Sequence, residues 1–496
     1  MGIMNFVLPA QMNLEAAQEL ERACIIGGPD NMPWPAHVTV ESHRLSISRD
    51  VDESGNLVAP WDIAGLGRFM TTTGTLTERE ASYFIQVELA RGKVNQLRNQ
   101  AADWRAGGLQ VAPVLARSIH DLSMGFARVA ATMPDAQAAR FAEDLLVETY
   151  RVADELVQTY IDQVFQVRHH RQPRLDTALG CRVNGSVIEE AFRACFQQTF
   201  NRVCLPISWK DVEPNEDSYC WDQIDRMLDW ASTLTQDIMA GPLIDFSPVN
   251  LPNWLWLWDR DLGSVASFMC DYVEHAVKRY KGRISCWQLT SASNYGNVLA
   301  LSEDEMLWLN VRLAEAARQI DPSLELVVGI TQPWGEYMAE QDRTHSPFIF
   351  ADTLIRAGLN LSAVELELVM GVTPRGSYCR DLLDLSRLLD LYALLGVPVQ
   401  LTIGYPASTA TDMNADADLS VEGGYWSDGF SPAVQAVWTA KVAALALCKP
   451  YIRGVHWIHL TDAAPHQFPN CGLLDQHGQP RPALEQLTRL REQHLR

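Results

Sequence analysis

The chain has 496 residues, of which 47% are hydrophobic and 20% charged, and this composition excludes disorder as its main state. The 61 acidic residues outnumber the 40 Lys and Arg residues. The resulting formal charge of −21 argues against a nucleic-acid partner, whose phosphates would be repelled. No apolar run reaches the ~18 residues that a membrane span needs.

The N-terminus predicts no export, because no basic segment followed by a long apolar stretch is found there. The ten cysteines include no Cys-x-x-Cys pair, and we expect them to be reduced. Both observations predict a cytoplasmic protein.

Residues 1–175 are predicted to form a first domain that is rich in β-strands and then helical. Alternating apolar residues predict two strands within residues 36–60 and further strands over 69–76 and 83–89. Helical spacing predicts long helices over 91–106 and 136–170, with Phe141 on the apolar stripe and Glu143 on the solvated face of the second. These helices either pack on the rest of the chain or form a homo-oligomer interface.

Residues 176–496 alternate between strand-like and helix-like segments, giving eight βα units. The predicted strands cover 177–183, 202–207, 238–246, 284–290, 324–330, 363–370, 397–403 and 454–460. The predicted helices cover 187–198, 221–234, 264–280, 303–320, 347–357, 377–395, 431–447 and 481–494. Eight such units favour a closed (β/α)₈ barrel of the α/β class over an open sheet.

Several cofactor signatures are missing from the sequence. No Gly-x-Gly-x-x-Gly follows the first of these strands, and neither a P-loop nor a Gly-x-Ser-x-Gly elbow is present. We therefore expect no cofactor.

Short segments in the second domain resemble glycoside hydrolase family 10, the retaining β-xylanase family, and they follow the family's order. They are Phe200-Asn201, Trp209-Lys210, Glu213-Pro214, residues 241–254, Arg279-Tyr280-Lys281-Gly282, Trp287, residues 363–369, Trp457 with Asp462, and Leu473-Leu474-Asp475 with Pro480-Arg481-Pro482-Ala483. The resemblance implies a (β/α)₈ barrel with a glycan ligand at the carboxyl ends of its strands.

The residues found at the family's two catalytic positions predict that this chain has lost the family's glycosidase chemistry. A retaining glycosidase uses two carboxyl groups about 5–5.5 Å apart, one as acid/base and one as nucleophile. The resemblance assigns these roles to positions 292 and 403, which are Ala292 and Ile403 here. At two of the family's sugar-binding positions, this chain has the same kind of residue as the family, namely Lys210 and Trp457.

Other carboxylates lie near predicted strand ends. Glu365 and Glu367 are two residues apart in a strand and therefore point to one face, as a buried ion pair or as pocket carboxylates. Glu336, Asp245 and Asp462 also lie near strand ends. If glycoside hydrolysis has moved to new carboxylates, Glu367, Glu336, Asp245 and Asp462 are the candidates.

Loop tryptophans suggest a stacking platform for sugar rings, or alternatively core packing under the loops. The candidates for ligand binding are Trp254, Trp256, Trp334, Trp426 and Trp457, together with Lys210 and Glu365. His456 and His459 are three apart in a predicted strand and point to opposite faces, so no metal site is predicted.

Three hypotheses follow from the sequence. The leading one is a glycosidase-like barrel that binds a glycan or sugar-like ligand without xylanase turnover. The second is an active glycoside hydrolase or lyase with relocated carboxylates, and the third is a structural or assembly protein.

Overall fold

The computed structural model describes residues 2–41, 43–131, 135–185, 190–235, 237–296 and 298–496. Its strands are β1 (Gly2–Val7), β2 (Cys24–Gly27), β3 (Met32–Trp34), β4 (His37–Glu41), β5 (Arg44–Arg49), β6 (Asn56–Ile63), β7 (Gly67–Thr72), β8 (Tyr83–Phe84), β9 (Ala178–Arg182), β10 (Arg202–Leu205), β11 (Ile238–Ala240), β12 (Ile244–Asp245), β13 (Cys286–Ser291), β14 (Glu325–Thr331), β15 (Ala363–Val369), β16 (Val399–Gly404), β17 (Tyr425–Trp426) and β18 (Ile452–Trp457).

The α-helices are α1 (Leu14–Glu19), α2 (Ile85–Ala106), α3 (Pro113–Ala131), α4 (Ala136–Arg171), α5 (Glu190–Thr199), α6 (Trp209–Val212), α7 (Asp222–Ser232), α8 (Leu262–Tyr280), α9 (Glu303–Ile320), α10 (Pro347–Arg356), α11 (Leu382–Ala393), α12 (Pro432–Cys448) and α13 (Pro482–His494). None of these helices is long and apolar enough to cross a bilayer. Residues 187–189 of the helix predicted over 187–198 lie outside the described residues.

In the described part of the chain, eight parallel strands close into a barrel, and the predicted (β/α)₈ fold is confirmed. They run in the order β9, β10, β11 with β12, β13, β14, β15, β16 and β18, and β18 pairs with β9 to close the ring. The third strand has two pieces, since Pro242 between them has no N–H to donate to a neighbouring strand. The strands are almost entirely buried, because helices cover the outside of the barrel and side chains fill the inside.

The region before the barrel contains two small sheets and three long helices. One sheet has the order β4-β5-β1-β8, and the other has the order β17-β7-β6-β2-β3. The latter takes β17 from the loop after β16, where Tyr425 pairs with Arg68. Helix α4 ends at Arg171 and β9 begins at Ala178, so the predicted division at residue 175 lies between them.

Two predictions for this region are wrong, and the short helix α1 and the long helix α3 were not predicted. The strand predicted over 83–89 is limited to Tyr83–Phe84, and α2 begins at Ile85. Alternation over 85–89 resembles a strand, but buried Ala90, Val94 and Leu97 continue at helical spacing. On α4, Phe141 is 60% exposed instead of packed, while the side chain of Glu143 is half-buried. Helix α3 over 113–131 was not predicted.

Buried and exposed ionic contacts join this region to the barrel. Lys93 of α2 donates to Asp381, the N-cap of α11, with 2.7 Å between Nζ and Oδ2. Arg168 of α4 donates to the Leu447 carbonyl at 2.6 Å, at the C-terminal end of α12. Tyr378 donates to Glu19 at 2.8 Å. The N-terminal region therefore lies against the loops that follow β15 and β16.

Replacing Glu143 with glutamine is expected to stabilise the protein at pH 8 and to change little at pH 5. Burial raises the pKa of Glu143 to about 7, and its carboxylate accepts a hydrogen bond from Trp61 Nε1 at 2.9 Å. The folded state holds this proton after the unfolded state has lost it, so stability falls as the pH rises from about 4.5 to about 7. The gain at pH 8 should be on the order of 2 kcal/mol.

Thermal unfolding across this pH range measures the effect of Glu143→Gln. Glu155 lies exposed on the same helix, so Glu155→Gln is the matched control for removal of a carboxylate from α4. A Glu143→Gln profile parallel to that of the unmodified protein would contradict the buried, protonated carboxyl.

Candidate functional site

The inside of the barrel holds a buried polar cluster centred on Glu365 of β15. Its carboxylate accepts from Arg182 of β9 at 2.8 Å and from His456 of β18 at 3.0 Å. Arg182 also donates to Gln288 of β13 at 2.9 Å. Burial alone raises the pKa of Glu365, but the hydrogen bond from His456 and the charge of Arg182 lower it to about 2. This carboxylate is therefore a paired anion inside the barrel.

One layer closer to the carboxyl ends of the strands, Arg375 fills the centre of the barrel mouth. Its guanidinium donates to Glu367 at 3.1 and 3.3 Å and to Asp245 at 3.1 and 3.2 Å. It also donates to Ser291 at 3.2 Å and to the Ser247 hydroxyl. Burial raises the pKa of Asp245, but the Arg375 charge and these hydrogen bonds lower it overall. Two of the predicted candidate catalytic carboxylates therefore share one buried cation.

Arg375 belongs to the loop after β15, residues 370–381, which crosses the barrel mouth. Tyr295 donates to the Pro374 carbonyl at 3.2 Å, and Gln332 donates to the Gly376 carbonyl at 2.9 Å. Thr373 of this loop also forms an antiparallel backbone bridge with Ser420, which lies in the loop after β16. We call residues 370–381 the crossing loop.

Two open pockets lie near the barrel mouth, and the crossing loop lines the second of them. The first cleft, of about 500 Å³, lies at the ends of β9, β10, β12 and β18, and its lining includes Arg182, Asn184, Trp209, Asp245, His459 and Gln467. The second cleft, of about 450 Å³, lies between the barrel and the N-terminal region, and its lining includes Arg22, Tyr295, Gln332, Glu336, Tyr378 and Glu422. Both volumes are typical of small-molecule sites.

The first half of the barrel matches a known family. Residues 171–291 match the family model for glycosyl hydrolase family 10. This match runs from the end of α4 to the end of β13, so the resemblance predicted from the sequence is confirmed for these residues.

Solved family 10 structures are similar to the chain at low identity. Xylanase 10B from Thermotoga maritima is 15% identical with a TM-score of 0.48, covering 64% of this chain and 95% of that one. The family 10 structure from Paenibacillus barcinonensis is 16% identical with a TM-score of 0.48, covering 65% and 96%. A Thermobacillus composti family 10 xylanase is 16% identical with a TM-score of 0.46, covering 63% and 96%. At these identities no activity is carried across.

The two positions that the family 10 resemblance assigns to catalysis are buried. Ala292 follows β13 and Ile403 lies within β16, and neither has measurable exposed surface. The hydroxyl of Ser291, the residue before Ala292, accepts a hydrogen bond from Arg375 at 3.2 Å. The space between β13 and the Glu367 carboxylate therefore contains a guanidinium.

The remaining predicted carboxylates lie apart from that centre. Glu336 lines the second cleft and accepts from Arg380 at 2.7 Å and from the Tyr378 backbone at 3.0 Å. Asp462 is buried behind the first cleft, where it accepts from the Gly472 backbone at 2.8 Å and pairs with Arg481 at 2.6 Å. Both carboxylates are held by a cation.

The predicted ligand-binding residues divide between the surface and the core. Lys210 lies beside the first cleft, where its Nζ donates to the Val249 carbonyl at 3.2 Å. Trp256, 39% exposed, lies on the loop that also places Asn250 in the first cleft. Trp254 is half-buried against Trp209, with ring centroids 5.9 Å apart. This side of the barrel therefore combines an open cleft with an exposed aromatic surface.

The other predicted tryptophans pack inside the protein. Trp457 is 1% exposed and donates to the Cys471 carbonyl at 2.8 Å. Trp426 is buried and donates to the Arg380 carbonyl at 3.1 Å. Trp334 is half-buried, with the Arg380 guanidinium 5.1 Å from its ring centroid. These side chains support the loops and do not line the first cleft.

A cluster that the sequence did not predict lies in the wall of the first cleft. His459 Nε2 is 2.8 Å from Asp462 Oδ1, and His466 Nε2 is 3.7 Å from the same oxygen. Asp412 Oδ2 lies 3.0 Å from His466 Nε2, and the two imidazole rings stack with centroids 4.2 Å apart. Burial lowers the pKa of His459 to about 4, so this ring is neutral at pH 7. Neutral imidazoles and carboxylates are metal ligands.

Proposed function

We propose that this protein binds a glycan or sugar-like ligand in the first cleft and does not hydrolyse glycosidic bonds by the family 10 mechanism. One observation carries the proposal: Arg375 lies between Asp245 and Glu367 at the barrel mouth. It is supported by the family 10 match over residues 171–291 and by the open cleft beside Arg375.

The Arg375 contacts oppose catalysis by these carboxylates. A glycosidase needs one carboxylic acid that gives up a proton and a second carboxylate that reaches the anomeric carbon or a water. Asp245 has a lowered pKa and is therefore a poor proton donor. Glu367 has both oxygens directed at the guanidinium. Arg375 is itself 4% exposed, so a sugar ring does not fit between the carboxylates unless the crossing loop moves.

The first cleft has the chemistry of a sugar site. Its walls combine apolar groups such as Trp209 and Ile207 with polar side chains such as Asn184 and Gln467. Among the described residues, the buried Gln467 Nε2 has no hydrogen-bond partner, which leaves a donor for a ligand. Trp256 and Trp258 are partly exposed nearby, and flat aromatic faces match the C–H faces of pyranoses.

A structural or assembly role predicts a different barrel mouth, one closed by bulky apolar side chains. The observed mouth has a buried ionic centre, and two open clefts of mixed polar and apolar lining lie near it. These features favour ligand binding over a purely structural barrel. Self-association through the N-terminal helices stays a prediction.

Calorimetry with xylo-, cello- and mixed-linkage oligosaccharides tests the binding proposal. We expect at least one of these oligosaccharides to bind. Gln467→Ala should weaken that binding about fivefold through the loss of one hydrogen bond, and Trp256→Ala should weaken it by up to about tenfold through the loss of one stacking contact.

Trp308→Ala is the matched control for the tryptophan variant. Trp308 is 44% exposed on α9, and the first cleft is lined by other elements, so binding should be unchanged. Failure of all three oligosaccharide classes to bind, or equal weakening by Trp308→Ala, would count against a glycan site in the first cleft.

A further inference from the structure

We propose that His459, Asp462 and His466 form a binding site for a divalent transition-metal ion, with Zn²⁺ as the best-fitting ion. The three residues lie after β18, and their ligand atoms are within 4.8 Å of one another. Asp412, from the loop after β16, adds a carboxylate oxygen beside His466. Because these side chains are buried and converge from two loops, they differ from a solvated surface cluster.

Two carboxylates face one ring nitrogen of His466. Nδ1 lies 2.8 Å from the Ala464 carbonyl, which only accepts, so Nδ1 is the donor in this contact. Nε2 is directed at the carboxylates, 3.0 Å from Asp412 Oδ2 and 3.7 Å from Asp462 Oδ1. A metal ion bound at Nε2 would therefore have both carboxylate oxygens beside it.

A metal ion at this position also reaches the other ligand atoms of the cluster. The imidazole lone pairs lie in the planes of the two stacked rings, so an ion at the ring edges can take Asp462 Oδ1 and His459 Nε2, which are 2.8 Å apart. Neighbouring ligands of tetrahedral zinc lie about 3.4 Å apart, between the observed separations of 2.8 and 3.7 Å. A set of two imidazoles and a carboxylate suits Zn²⁺ better than Ca²⁺ or Mg²⁺, which prefer oxygen.

The surroundings already hold the ligands in place. The Ala464 carbonyl orients His466, and the Gly472 backbone N–H donates to Asp462 Oδ1 at 2.8 Å. Arg481 binds the other oxygen of Asp462 at 2.6 Å. Such outer contacts are typical of metal sites, because they fix the orientation of the ligands, here His466 and Asp462.

Charge also favours a divalent cation. With neutral imidazoles, the carboxylates of Asp412 and Asp462 exceed the single charge of Arg481 by one negative charge. Both histidines line the first cleft, which gives an ion a path from solvent. Zinc binding at this site does not require glycan binding in the first cleft. Each proposal can therefore be contradicted without affecting the other.

Zinc titration of the purified 496-residue protein after chelator treatment tests this site. We expect one equivalent of Zn²⁺ to bind, and a rise in the thermal midpoint on binding, since the ion stabilises the folded state that holds it. His466→Ala and His459→Ala should each weaken zinc binding about 100-fold or more. Co²⁺ bound in place of Zn²⁺ should give the visible absorption of a nitrogen- and oxygen-ligated ion.

His477→Ala controls for binding by surface histidines, because His477 is exposed on the loop before α13, and zinc affinity should stay unchanged. Circular dichroism checks that each variant is folded, and His466→Gln replaces His466→Ala if the smaller side chain prevents folding. Absence of zinc binding to the unmodified protein would overturn the site. Undiminished binding by the folded His459 and His466 variants would overturn it as well.

Discussion

Replacement of Arg375 with alanine is expected to cost about 3–5 kcal/mol of folding free energy, the range found when one partner of a buried ion pair is removed. Arg375 neutralises both Asp245 and Glu367; Glu367 is buried, whereas Asp245 reaches the first cleft. In the variant, Glu367 must protonate or move, and Asp245 loses its counter-ion beside it. The loss should therefore be larger at pH 8 than at pH 5, where protonation of the carboxylates is easier.

Urea unfolding at both pH values measures the effect of Arg375→Ala. Arg312→Ala is the matched control, because Arg312 pairs with Glu315 on the surface of α9 and such pairs contribute about 1 kcal/mol or less. Adding Asp245→Asn and Glu367→Gln to Arg375→Ala should restore part of the stability by removing the stranded charges. A loss no greater than that of Arg312→Ala would contradict a buried ionic centre at the barrel mouth.

Replacement of Lys93 with alanine is expected to cost about 3 kcal/mol. Lys93 is buried in α2 and its Nζ lies 2.7 Å from Asp381 Oδ2, so the variant leaves a carboxylate buried between the N-terminal region and the barrel. Burial raises the pKa of Asp381 even beside Lys93. Without this cation the pKa rises further, and the destabilisation should grow as the pH rises.

Lys441→Ala provides a matched control for Lys93→Ala. Lys441 of α12 also joins a barrel helix to the N-terminal region, through Asp154 at 2.7 Å, but this pair is partly exposed. Its loss should cost about 1 kcal/mol or less. Urea unfolding of both variants compares the two pairs, and equal losses would mean that burial of Lys93 adds nothing to its effect.

The barrel was predictable because its signals are local. Each barrel strand is a short apolar run between a helix and a loop, and burial on both faces of a strand selects such runs. Glu365 and Glu367 were predictable as neighbours because a strand has a period of two residues, and both enter the barrel interior. The same local reasoning misplaced the start of α2, where alternation over 85–89 precedes a helical period.

The candidate site was harder to predict because its contacts are distant in sequence. Arg375 lies in the crossing loop, which has no periodicity, yet it pairs with Asp245, 130 residues away. Asp412 and His466 are 54 residues apart and meet only because the loops after β16 and β18 lie side by side. Trp426 was predicted in an exposed loop, but β17 pairs with β7 of the N-terminal sheet and buries it. The positions of these side chains depend on tertiary contacts, which a local sequence pattern does not reveal.

Release of reducing ends from xylan, cellulose and mixed-linkage glucan tests the central claim most directly. The protein should be assayed at high concentration, over long times and at several pH values, beside Glu367→Gln and Asp245→Asn. Because Arg375 occupies the space between these carboxylates, we expect no release above that of heat-inactivated protein. Release by the unmodified protein that either substitution abolishes would contradict the account and would assign catalysis to the barrel mouth.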